Sequence, residues 1–211
     1  MRALVGALAA LALAATAEAG PSRADALAAL GADDVEARRV GAADLAEVGT
    51  ISDAPALIRA LRDSDVQVRQ LAEAALWAVW SRSGDAAVDA IFERGVAELR
   101  QGQVEASVDT FSEVIRRRPD FAEGWNKRAT AYYVLGEWRR SAADCDEVLH
   151  RNPQHFGALS GYGMIWLQLD EPARALERFE QALAVNPNLE SVQRTIDALR
   201  ALLIQQRRNA I

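Results

Sequence analysis

The sequence predicts an all-α fold, a solenoid of helix-turn-helix units, on three observations. Pro119, Pro153 and Pro187 stand 34 residues apart and carry their surroundings with them. The preceding segment, 22–81, repeats at a shorter period of 31. Beyond the last proline, Val192, Ile196, Leu199 and Leu203 recur at helical spacing and draw a single apolar stripe.

The first 19 residues stand apart from the fold. Met1-Arg2 is a basic start, Ala3 to Ala17 carries no charge, and Ala17-Glu18-Ala19 has the small-x-small form of a signal-peptidase site. The uncharged run is short of the roughly 20 residues that span a bilayer. It also lacks the polar face of an Ala-rich surface helix. Cleavage before Gly20 and export are therefore expected. Removing 1–19 takes away one Arg and one Glu, so the net charge stays at −6. An exported acidic chain is a poor partner for nucleic acid, whose binding rests on neutralising phosphates. No later apolar run approaches spanning length, so no stable membrane insertion is expected after cleavage. Lys127 is the sole lysine among many arginines, a bias that points to a GC-rich bacterial genome and, with export, to the periplasm. One cysteine, Cys145, cannot form an internal disulfide.

Within the 34-residue period, phase decides residue type. Phe111, Cys145 and Phe179 lie eight residues before the prolines, and the small Ser107, Ser141 and Ala175 lie twelve before. Gly95, Ala129 and Gly163, also small, let paired helices approach, while Ile91, Trp125 and Leu159 are expected to fill the space between hairpins. Gly102, Gly136 and Asp170 share the phase at which a first helix must stop. Pro172 suits the first turn of the helix that follows.

These residues resemble the tetratricopeptide repeat (TPR), most closely from Trp125 through Tyr132, Gly136, Trp138, Ser141 and Cys145 to Asn152-Pro153. The resemblance covers about 88 to 188 and implies a right-handed α-solenoid. Arg94 and Arg128 stand where the family often has Leu. An arginine stem can still cover apolar surface there. In the shorter period, Leu30, Asp34, Val35, Ala37 and Arg38 align with Leu61, Asp65, Val66, Val68 and Arg69. They resemble HEAT-like units, in which the Asp caps the second helix and the Arg, a turn later, meets neighbouring acids. The resulting division is a leader at 1–19, two HEAT-like units at 20–84, three TPR units at 85–189 and a capping helix at 190–211. Trp77 and Trp80 are expected to pack the seam near Ser81–Gly84, with the two solenoids stacked end to end over one core.

No catalytic constellation is legible, so the chain is read as non-catalytic with no cofactor and no metal. His150 and His155 fall at turns and are read as solvent-facing, and there is no Cys-x-x-Cys, His-Glu-x-x-His or Gly-x-Ser-x-Gly. Cys145 replaces a core Phe of its neighbours and is expected to be buried and inert.

The family resemblance implies a concave groove lined by the first helix of each unit. The groove-facing residues would be Phe92, Val96 and Leu99, then Asn126, Thr130 and Tyr133, then Ser160, Met164 and Leu167. Members that grip a C-terminal carboxylate place Lys, Arg and Asn at such sites; in this set only Asn126 fits. The expected ligand is an apolar or helical segment of a partner protein, met by a scaffold or adaptor of the bacterial envelope. The alternative is a structural homo-oligomer, such as a homodimer, whose groove binds a second copy.

Overall fold

The computed structural model describes residues 20–209. The leader expected over 1–19 lies outside them. The described residues form eleven α-helices, one 3-10 turn and no strand. The N-terminal segment holds α1 (Arg23–Leu30), α2 (Val35–Val48), α3 (Ala54–Ala60) and α4 (Val66–Trp80). Three hairpins follow: α5 (Ala86–Arg100) with α6 (Val104–Arg117), α7 (Ala122–Val134) with α8 (Trp138–Arg151), and α9 (Phe156–Gln168) with α10 (Pro172–Val185). The last helix is α11 (Glu190–Asn209), which buries Val192, Ile196 and Leu199.

Local chemistry sets the ends of these helices. Asp34 accepts the Ala37 N–H at the start of α2, and Asp65 accepts the Gln67 and Val68 N–H groups at the start of α4. One turn on, Arg38 donates to the carbonyls of Ala32 and Asp33, and Arg69 donates to those of Asp63 and Ser64. The same clamp thus recurs at the 31-residue period. Arg38 also pairs with Asp63 at 2.7 Å, which ties one unit to the next. In the hairpins, Gly102, Gly136 and Asp170 take φ of 76°, 73° and 57°, the left-handed conformation that ends a first helix. Helices then close tightly across the small sites. A Cβ on Gly163 would meet the Phe179 ring at 2.6 Å.

The two segments do not stack end to end. Instead α4 lies against the turns that join one hairpin to the next. Trp80, 3% exposed, stacks on His155 with ring centroids 4.3 Å apart and also meets Phe156. At the following turn Asn188 donates to the Leu61 carbonyl, Arg62 donates to the Val185 carbonyl, and Asn186 donates to Glu73. The core is accordingly divided. One cluster spans the N-terminal segment and Phe156, a second fills the later hairpins, and a third gathers Phe92, Phe111 and Phe121.

Trp125 departs from the buried position expected of it. It is half-buried, its Nε1 donates to the Pro119 carbonyl at 3.0 Å, and Arg128 and Arg151 lie over its ring. A ring held between guanidinium groups at a rim keeps much of its surface wet. Trp125→Ala should therefore cost about 1–2 kcal/mol, below the 3–5 usual for a buried aromatic. A urea melt monitored by circular dichroism measures this; a loss beyond 3 kcal/mol would place the ring in the core.

Candidate protein-binding groove

The first helices α5, α7 and α9 line one face of the hairpin stack, and an apolar concavity lies between α7 and α9. It encloses about 250 Å³ and is lined by Trp77, Asn126, Lys127, Thr130, Tyr133 and Met164, with Gly157 and Gly161 leaving room on α9. Four of the nine expected groove residues meet here: Asn126, Thr130, Tyr133 and Met164. Met164 is 42% exposed, and the Tyr133 hydroxyl accepts from Gln168. Ser160 is turned along its own helix, donating to the Phe156 carbonyl, and Leu167 packs partly into the second core cluster. Val96 and Leu99 pack partly against the third cluster. Phe92, expected in the groove, is 2% exposed and sits between Phe111 and Phe121. The first unit lacks a Tyr or Trp at the phase of Tyr132 and Trp166, where Glu98 stands, and Phe92 fills its core instead.

The floor of this region is a buried polar cluster that sequence reasoning missed. Glu123 is fully buried at the start of α7. Its carboxylate is met by His155 Nε2 at 2.8 Å, Asn126 Nδ2 at 3.0 Å and Lys127 Nζ at 3.0 Å. His155, read as solvent-facing, is 0% exposed. Its Nδ1 accepts the Ala158 N–H at 3.1 Å and so caps α9, which leaves the proton on Nε2 to donate to Glu123. Burial alone would raise the Glu123 pKa; His155 and Lys127 more than offset this and hold it below the usual carboxylate value. Both ring nitrogens of His155 are engaged inside the protein, so this pair offers no free base to a substrate. The other histidine, His150, is exposed.

Trp77 reaches the groove from α4. A Cβ on Gly157 would collide with its ring, and the Lys127 ammonium lies 5.8 Å from the ring centroid. The N-terminal segment therefore supplies one wall of the pocket. Cys145 also borders the pocket at 2% exposure, and burial pushes its thiol up to about 12, consistent with an inert thiol. Among the described residues no group of three or more His, Cys, Asp or Glu could hold a metal ion, and no helix is long and apolar enough to cross a membrane.

Fold and groove together define an all-helical repeat protein whose hairpins present a concave face. Residues 92–154 and 126–191 match the tetratricopeptide repeat family model. A TPR repeat-containing protein of Rhizobium etli is 32% identical over 120 residues, which covers 57% of this chain and 59% of that protein. Hsp70-Hsp90 organizing protein 1 of Glycine max is 23% identical over 111 residues, covering 51% of this chain and 19% of that protein. The chain thus spans less than two thirds of the length of these relatives. Among solved structures, the first TPR of Spaghetti (RPAP3) bound to HSP90 peptide SRMEEVD has a TM-score of 0.54 at 20% identity, over 56% of this chain and 93% of that one. The Sgt2 TPR domain from Aspergillus fumigatus has a TM-score of 0.56 at 18% identity, over 60% and 85%. At these identities what is shared is the fold.

Proposed function

We propose that this chain is a non-catalytic scaffold of the bacterial cell envelope that holds a partner protein by an uncharged, apolar segment laid in the concave groove. The observation that carries this reading is the pocket between α7 and α9, where Trp77, Tyr133 and Met164 converge. The only lysine at the pocket is paired with Glu123, and Asn126 donates inward to the same carboxylate. Neither is free to grip the acidic peptide end that the Spaghetti domain binds. An apolar side chain entering the pocket would instead displace water from aromatic and thioether surface.

Short capped, uncharged peptides screened by fluorescence polarisation test this. Binders should carry a Leu, Met or Phe anchor. Joint replacement of Tyr133 and Met164 by Ala should weaken their capture by about 1–3 kcal/mol while helicity and melting stay near those of the parent. Capture of SRMEEVD that is as tight and equally sensitive to the double replacement would overturn the reading. Unfolding of the variant would place both side chains in the core.

Export to the periplasm with cleavage before Gly20 belongs to the same proposal, supported by the leader-like N-terminus. N-terminal sequencing of periplasmic material should read Gly20 first; an intact Met1 would remove the setting. A second reading, a homo-oligomer, is favoured by Leu202 and Ile204, which are 42% and 52% exposed near the end of α11. Light scattering on the mature chain decides between monomer and dimer.

A further inference from the structure

A second cavity, of about 150 Å³, lies at the seam and shares no lining residue with the groove. Its walls include Trp80 and Arg82 from the N-terminal segment, and Arg118, Arg151 and Asn152 from two inter-repeat turns. Three guanidinium groups face the single carboxylate of Asp120. Arg118 donates to Asp120 at 3.1 Å, whereas Arg82 is met by the carbonyls of Gly49 and Ala46 and by no acid among the described residues. Arg151 lies against Glu147 and the Pro119 carbonyl. His155 also borders the cavity, but both its ring nitrogens are engaged, and the charge of Glu123 beyond it is met by Lys127.

Two residues that line this cavity carry buried donors with no acceptor among the described residues: Trp80 Nε1 and Asn152 Nδ2. A buried donor left unmade is costly, and a ligand that supplies oxygen would recover that cost. The repeat itself shows which oxygen suits the position. One period on, Asn186 occupies the same place in its turn, and its Nδ2 donates at 3.0 Å to the carboxylate of Glu73 from α4. At the Asn152 turn the N-terminal segment supplies Arg82 and Trp80, and no carboxylate meets the amide.

We propose that this seam cavity binds a carboxylate, held by the Trp80 and Asn152 donors and by the surplus of arginine charge. A cation would be repelled, and an apolar group would leave both donors unmade. The volume is several times what one water requires, enough for a carboxylate with its stem. Binding there would join α4 to the Asn152 turn as Glu73 joins it to the Asn186 turn.

The test uses the mature chain and sodium acetate, against sodium chloride at equal ionic strength, read by melting temperature and by tryptophan fluorescence. Acetate should raise the melting temperature saturably beyond chloride. Trp80→Phe, which keeps an apolar ring but removes the donor, should weaken acetate binding about tenfold, as should Arg118→Gln at the cavity rim. Arg94→Gln, outside the cavity, should leave it unchanged. Should Trp80→Phe fail to fold, Arg118→Gln decides. The proposal is overturned if acetate acts no differently from chloride, or if folded variants bind it like the parent. Acetyl-aspartyl amide distinguishes the source: tighter binding than acetate indicates a partner's acidic side chain, and equal binding a free small carboxylate. The Tyr133 and Met164 double variant should bind acetate normally, so failure here and failure of the groove reading are separable.

Discussion

Replacing Glu123 with Ala is expected to lower the melting temperature by about 6–20 °C. The carboxylate is fully buried and answers His155, Asn126 and Lys127 together. Its removal strands a buried imidazole N–H and amide and leaves Lys127 without its anion, a loss of about 3–5 kcal/mol. Glu123→Gln keeps one oxygen for His155 or Asn126 and should lose less. The depressed pKa adds a pH dependence of known sign. A carboxylate whose pKa is lower folded than unfolded stabilises the fold above its ordinary value of 4.5. That stability should fall as pH drops through 4.5 and on through the lowered value in the fold. Thermal melts from pH 7 down to 3 should show a steeper acid loss in the parent than in Glu123→Gln. Parallel curves would show that Glu123 is not ionised in the native state.

Trp80→Ala is expected to cost about 3–5 kcal/mol, as for other deletions of buried aromatics. Its effect on cooperativity is more specific. Trp80 stacks on His155 and packs against Trp77 and Phe156, so it carries much of the contact between α4 and the hairpins. In a repeat protein, stability is approximately a sum of unit and interface terms. Weakening this interface should split one calorimetric transition into two, the N-terminal segment melting first. A single transition, merely shifted down, would show that the remaining bonds at Leu61, Arg62 and Glu73 keep the segments coupled.

The hairpins were legible because a 34-residue period repeats the same physical demand at each phase. Stop positions and close-approach sites could be assigned from residue type; of the large sites Leu159 is buried, whereas Ile91 and Trp125 are half-buried. The buried Glu123–His155 pair was not legible, since nothing in a lone Glu and a distant His declares contact. One signal was available: His155 shares the phase of Phe121 and Leu189, where the neighbouring copies place apolar side chains. A polar residue at an apolar phase calls for a buried partner. Phe92 was misplaced because phase gives the face of a helix but not how far a neighbouring ring reaches over it. The fold-back of α4 was hidden for a different reason. Periods of 31 and 34 describe each array internally and carry no information about how one array lies on the other. Trp77 and Trp80 were correctly read as seam residues, yet the surface they meet belongs to a turn about 75 residues further along the chain.

A stack of helical hairpins behaves as a spring, since each joint contributes a small rotation and the errors add along its length. The N-terminal segment acts on this spring as a strut. Trp80 is pinned at the joint before α9, while Leu61, Arg62 and Glu73 are pinned at the joint before α11, so two successive joints are tied to one packed α3–α4 pair. A groove held at one pitch loses less conformational freedom when a ligand arrives, and tighter binding follows without any added contact. The same rigidity narrows choice. A partner whose side chains are spaced for a different curvature cannot recruit the groove by bending it, so selectivity in this protein would be set by a helix that never touches most of the ligand.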